Sequence, residues 1–134
     1  MWIFSQYGFF SVVREPASGL GSEASVARVQ VRARHRAHLE GLRTAFPALL
    51  ADAPIVGYDD PAHEAAYGHR DYEYRLFLTP AAWRELAAAF AADLDYPNFK
   101  SRVSERSEHP SLSPTNYLSR LYDVYHAMER TDRH

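Results

Sequence analysis

The chain has no cysteine. Disulfides, thiolate nucleophiles and cysteine-based zinc sites are therefore excluded, and a reducing cytoplasm, the location expected here, poses no difficulty. Lysine is nearly missing too. Lys100 stands alone and arginine supplies the remaining positive charge, as an arginine- and alanine-favouring coding bias would produce. No long apolar run occurs. The opening MWIFSQYGFFSVV is too short to span a membrane and lacks a basic flank, so a strand pair is expected there and no membrane partner. There is no G-x-S-x-G elbow, no HExxH, no P-loop and no G-x-G-x-x-G, so none of the motif-borne chemistries is indicated. Acidic residues are frequent, but nothing in the sequence sets two of them across a cleft. No catalytic residue, cofactor or metal ligand is assigned, and a non-enzymatic role is expected.

What is present suits one core. With 134 residues, 46% hydrophobic and 24% charged, the chain is expected to form a single domain over 1–134, with mobile loops at 14–25 and 107–115 and a polar tail at 131–134. The organising stretch runs from Tyr72 to Val103. Tyr72, Tyr74, Leu76 and Leu78 alternate as the buried face of a strand. Thr79-Pro80 then supplies a hydroxyl N-cap and a first-turn proline, and Trp83, Leu86, Phe90 and Leu94 make the apolar stripe of a helix. Trp2–Phe4 and Phe9–Val13 flank Ser5-Gln6-Tyr7-Gly8 as a hairpin, either central in the sheet or leaving an aromatic face open. From Val26 the alternation places Ala27, Val29, Val31 and Ala33 on one face and Arg28, Gln30, Arg32 and Arg34 on the other. His35, Leu39, Leu42, Phe46 and Leu49 are spaced for a helix, Pro54–Tyr58 for a short edge strand, and Leu118, Leu121, Tyr122, Tyr125 and Met128 for a last amphipathic helix. The fold expected is α+β: an antiparallel sheet of four to five strands with helices mainly on one face, ferredoxin-like or a related two-layer sandwich.

Net charge is −2, but the charge is segregated. Arg28, Arg32, Arg34 and Arg36 form a basic row beside the aromatics Trp2, Phe4, Tyr7, Phe9 and Phe10. That combination offers phosphate contacts and stacking surfaces to nucleic acid. Asp59, Asp60, Glu64 and Asp71 form an acidic loop suited to a basic groove on a protein partner. His35 and His38 lie one turn apart, but the arginines around them oppose a divalent cation. His63 and His69 with Asp59, Asp60 and Glu64 are the better metal-type collection, although their order is not that of a metalloprotease and an exposed acidic loop is the default.

Three stretches carry a resemblance. Met1, Trp2, Phe4, Gly8, Phe9, Ser11, Val12 and Val13, then Tyr72, Tyr74 and Arg75, then Asp95, Tyr96, Asn98, Phe99 and Lys100 resemble a group of small bacterial and phage-associated proteins without an assigned activity. The group opens with Met-Trp, a Gly-Phe turn and Ser-Val-Val and carries a later Asp-Tyr-x-Asn-Phe-Lys element. In this chain that element offers either a polar ligand site at Asp95, Asn98 and Lys100 or a helix cap pinned by Tyr96 and Phe99. The hairpin string from Tyr7 to Val12 is also weakly similar to the RNP1 string of an RNA recognition motif, without its leading basic residue. The resemblance implies a soluble cytoplasmic domain. Together with the charge layout it leads to the expectation of a small protein-binding domain, a phage-encoded, anti-CRISPR-like inhibitor of a bacterial defence complex acting through Asp59, Asp60, Glu64 and Asp71. The alternative is an RNA- or DNA-binding module using Arg28, Arg32, Arg34, Arg36 and the N-terminal aromatics; a second alternative is a metal-dependent hydrolase using His63 and His69.

Overall fold

The structure, a computed structural model, describes residues 1–15, 27–62 and 72–131. Its elements are β1 (Trp2–Ser5), β2 (Gly8–Arg14), β3 (Val29–Ala33), α1 (Arg36–Ala45), α2 (Pro47–Leu50), β4 (Ile55–Val56), β5 (Tyr74–Leu78), α3 (Pro80–Ala92), α4 (Phe99–Glu105), a 3₁₀ turn (Ser113–Thr115) and α5 (Tyr117–Thr131). The strands form one sheet in the order β1-β2-β3-β5-β4, with every pair antiparallel. This is the α+β two-layer sandwich expected, in its related form, because a ferredoxin-like split βαβ needs parallel neighbours and none occurs among the described strands.

Register shows how the alternation makes the core. Val12 lies opposite Val31, Val31 opposite Leu76 and Leu76 opposite Ile55, so one apolar row crosses four strands. Phe10, Val29, Ala33 and Leu78 extend that face, and Leu39 and Leu42 of α1, Leu50 of α2 and Leu86 of α3 cover it. Pro47 lacks the N–H a continuing helix would need, so the predicted helix divides there into α1 and α2. Thr79 caps α3 as expected, its hydroxyl accepting from Ala82 N at 3.1 Å with Pro80 in the first turn.

Four expectations are corrected. Tyr72 does not share the face of Tyr74, Leu76 and Leu78. The strand starts only at Tyr74 and a bend at Glu73 breaks the alternation, so the buried Tyr72 ring lies with Phe9 and the arginines on the opposite side. Leu94 is not part of the helical stripe: α3 ends at Ala92, Asp93 takes the C-cap, and Leu94 is 66% exposed. The 107–115 segment is packed. Ser111, Leu112 and Thr115 are buried, and a Cβ on Gly41 of α1 would stand 2.3 Å from Ser111 Cβ, which shows how closely helix and segment meet. Finally, of the last helix's predicted stripe only Leu121 is buried and Leu118 half-buried; Tyr122, Tyr125 and Met128 are exposed, the two tyrosine rings lying beneath the Lys100 ammonium of α4. Most of the 14–25 loop and the tail from 132 lie outside the described residues; Arg14 is the last residue of β2, and Glu15 N donates to Arg28 O at 2.9 Å.

A second cluster joins the C-terminal elements to the sheet. Val103, Leu112, Tyr117 and Leu121 pack with Phe9, Phe99 and Leu118. Its polar counterpart grips the hairpin turn. The Tyr117 hydroxyl lies 2.9 Å from Ser5 O and 3.1 Å from Gly8 O, Arg106 Nε donates to Gln6 O at 3.1 Å, and Gln6 Nε2 donates to the Asp93 carboxylate at 2.7 Å. Tyr7 donates its hydroxyl to the same carboxylate. Burial together with that carboxylate raises the Tyr7 hydroxyl pKa, and burial raises that of Tyr117, so both stay protonated donors.

Candidate ligand groove

The side of the hairpin opposite Phe10 and Val12 carries an aromatic ladder. Trp2 and Phe4 alternate along edge strand β1, and Phe9 lies opposite Phe4 on β2. Phe4 stacks on Phe9 with centroids 4.8 Å apart and 22° between planes. Trp2 meets Phe9 edge-on at 6.1 Å, and Tyr72 follows at 6.4 Å. Phe9 is thus wedged between the ladder and the C-terminal cluster, while Trp2 is 70% and Phe4 40% exposed. The hairpin therefore takes the second of its two expected forms: it is an edge with an open aromatic face.

Between this ladder and α5 lies a groove of about 610 Å³. Trp2, Phe4, Phe9 and Tyr72 form one wall, Tyr117, Arg120, Leu121 and Val124 the other, His38 and Thr115 the floor, and Arg34 and His35 the rim. No carboxylate is among the described residues that line it.

The floor is a closed hydrogen-bond circuit. Thr115 donates its hydroxyl to Leu112 O at 2.7 Å, so the same oxygen accepts from His38 Nε2–H at 2.9 Å. His38 Nδ1 is left to accept from Phe9 N–H at 3.4 Å. That network assigns the tautomer. Burial, with the neighbouring His35 adding to it, lowers the His38 pKa to about 4, so the ring is neutral at pH 7. Gly8 makes the approach possible: its φ is +144°, and a Cβ there would lie 2.3 Å from His38 Cγ. His35 on the rim keeps an exposed edge; its pKa is lowered, chiefly by partial burial of the ring and further by Arg34 and Arg120, with Glu73 opposing.

The predicted arginine row is divided by its partners. Arg28 is ion-paired with Glu15 and lies 4.4 Å above Phe77. Arg32 donates to Ser11 Oγ at 2.7 Å and covers Tyr72 at 4.7 Å. Arg36 pairs with Glu40 on α1 at 2.9 Å. Only Arg34 of the four lines the groove, exposed and 5.5 Å from the Tyr72 ring. Arg120 joins it from α5, tied to Asp123 at 3.5 Å by a pair whose side chains are 74% and 67% exposed, a contact worth little in water. Sequence reasoning missed Arg120, Tyr117, Thr115 and Val124, because nothing local marks α5 as the neighbour of β1.

Of the acidic set, Asp59 is exposed and Asp60 accepts from Ala62 N at 2.9 Å, closing a turn; Glu64 and Asp71 lie outside the described residues. His63 and His69 lie there as well. Among the described residues no group of three or more His, Asp or Glu side chains is placed to hold a metal. The Asp95–Lys100 element takes the capping form. Asn98 accepts from Ser101 N at 2.9 Å, Asp95 pairs with Arg102 at 3.1 Å, Tyr96 and Phe99 sit 6.4 Å apart, and Lys100 Nζ lies 4.2 Å from the Tyr125 ring. No described helix is long and apolar enough to cross a membrane. Among known proteins, no family model, curated protein or solved structure matches the chain.

Proposed function

We propose that this protein is a binding module for single-stranded nucleic acid and that the groove between the β1–β2 hairpin and α5 is its contact surface. The observation that carries this is the joint placement of two solvent-facing aromatics, Trp2 and Phe4, with two weakly committed guanidinium groups, Arg34 and Arg120, in a groove whose described lining holds no acid. Bases stack on exposed rings whatever their identity, and guanidinium groups meet the phosphates between them. The overall charge of −2 gives no long-range attraction, so binding rests on this local field and is salt-sensitive.

The protein-binding function through the acidic loop has less to stand on. Of its four residues Asp59 and Asp60 are described, Asp59 exposed and Asp60 engaged with Ala62 N in closing a turn. The resemblance to phage-associated proteins fits either function.

Fluorescence anisotropy of a labelled ten-nucleotide strand titrated with the protein at low salt tests the proposal. Trp2→Ala is expected to weaken binding about 5- to 150-fold, as losing one stacking contact of about 1–3 kcal/mol does, with unchanged thermal stability. A wild type that binds no strand at low salt, or a Trp2→Ala variant that binds as well as wild type, refutes it.

A further inference from the structure

Resting on that function, we infer that the groove seats two nucleotides held apart from one another and does not discriminate between bases. The first part follows from strand geometry. Trp2 and Phe4 are alternate residues of β1, which places their side chains about 6.6 Å apart along the strand. A strand stacked as it is in a duplex advances only about 3.4 Å per nucleotide. Bases lying on both rings are therefore unstacked, and the rings replace the stacking they lose. Phe4 is already backed by Phe9 on its inner side, so it presents its outer side, and the edge-on contact of Trp2 with Phe9 leaves most of the indole open.

The second part follows from the floor. Reading a base needs polar groups free to pair with its edge, and those beneath the rings are committed. Tyr117 donates to Ser5 O and Gly8 O, Thr115 donates to Leu112 O and accepts from His38, and His38 accepts from Phe9 N–H. Arg120 on the α5 wall and Arg34 on the rim remain, together with the exposed ring of His35 beside Arg34. Phosphate contacts position a strand but carry no sequence information. The routes to selectivity left open are a guanidinium fork on guanine and the His35 imidazole on a base edge, and comparison of the four strands addresses both directly.

Fluorescence anisotropy with ten-nucleotide strands of dA, dC and dT, and with a dT strand carrying two central guanines, measures the outcome. Affinities agreeing within about fivefold are expected, with log K falling against log salt at a slope of about −1.4, the value for two phosphate contacts on a single strand. The double variant Arg34→Glu, Arg120→Glu is expected to bring that slope close to zero, and the duplex of the same sequence to bind at least about tenfold more weakly because its bases are not free to stack. A preference of tenfold or more for the guanine strand overturns the lack of discrimination while leaving the binding function standing. Tighter binding to the duplex, or a slope unchanged in the double variant, overturns the seating in this groove. Absence of binding to every strand sinks the function and this inference with it, and turns the search toward a protein partner.

Discussion

Acidification should release the circuit beneath the groove. His38 is held neutral, with its pKa lowered from 6.5 to about 4, mainly by burial and secondarily by His35. A histidine whose folded pKa is depressed binds its proton first in the unfolded chain. Between pH 6.5 and about 4 the unfolded state therefore carries more protons, and stability falls as pH falls through that window, the loss becoming complete below it. The gap between 6.5 and about 4, at about 1.36 kcal/mol for each tenfold in proton affinity, comes to about 3 kcal/mol. Carboxylates titrate near the lower end of the same range, so the contribution of His38 is read as a difference. Urea unfolding from pH 7.5 to 4 is compared between wild type and His38→Gln, whose amide donates toward Thr115 but cannot titrate. Wild type should lose about 3 kcal/mol more than the variant across the window, although the variant starts lower because it replaces a buried ring. His35 titrates in both proteins and its effect cancels. Parallel loss in the two proteins would refute a neutral, locked His38.

Gly8→Ala should be among the most damaging single changes. The added methyl meets His38 Cγ at 2.3 Å on a backbone with φ of +144°, so a loss of about 2–4 kcal/mol is expected, measured as a lower urea midpoint with an unchanged slope. Tyr117→Phe removes the hydroxyl that joins α5 to Ser5 O and Gly8 O; with both carbonyls buried, a cost of about 1–3 kcal/mol is expected, and faster hydrogen exchange at the amides of the 5–8 turn reports the lost anchor.

Local chemistry was legible in the sequence, and remote contact was not. The hairpin, the alternation through β3, the Thr79-Pro80 start of α3 and the Asn98 cap each depend on residues within a few positions of one another, so periodicity and capping rules find them. Tyr72 escaped because one bend, at Glu73, puts its ring on the side of Phe9 and Arg32, away from the face of Tyr74. The arginine row was visible as a row, but its partners were not. That Arg32 lies opposite Ser11 is a fact of strand register, and register was not fixed by the pattern alone. The groove was half legible for the same reason. Its aromatic wall and Arg34 come from one hairpin and the strand beside it, whereas the α5 wall reaches the hairpin through Tyr117, 112 positions from Ser5, by hydroxyl-to-carbonyl bonds that leave no periodic trace.

Those remote contacts explain why exposed rings can be held ready on an edge strand, where they would ordinarily be mobile and prone to association. Phe9 is the intermediary. Its backbone N–H is engaged by His38, its ring packs into the cluster of Tyr117 and Leu121, and its outer surface sets the positions of both Phe4 and Trp2. A stacking surface fixed before the ligand arrives loses little side-chain freedom on binding, so rigidity at the turn contributes to affinity at the groove. Two variants separate the roles. His38→Gln loosens Phe9 from beneath and should reduce stability and strand binding together. Trp2→Ala removes an exposed ring that supports nothing below it and should reduce binding alone. Were binding to survive His38→Gln unchanged while stability fell, Phe9 would be a spectator, and the groove would owe its shape to the sheet without help from α5.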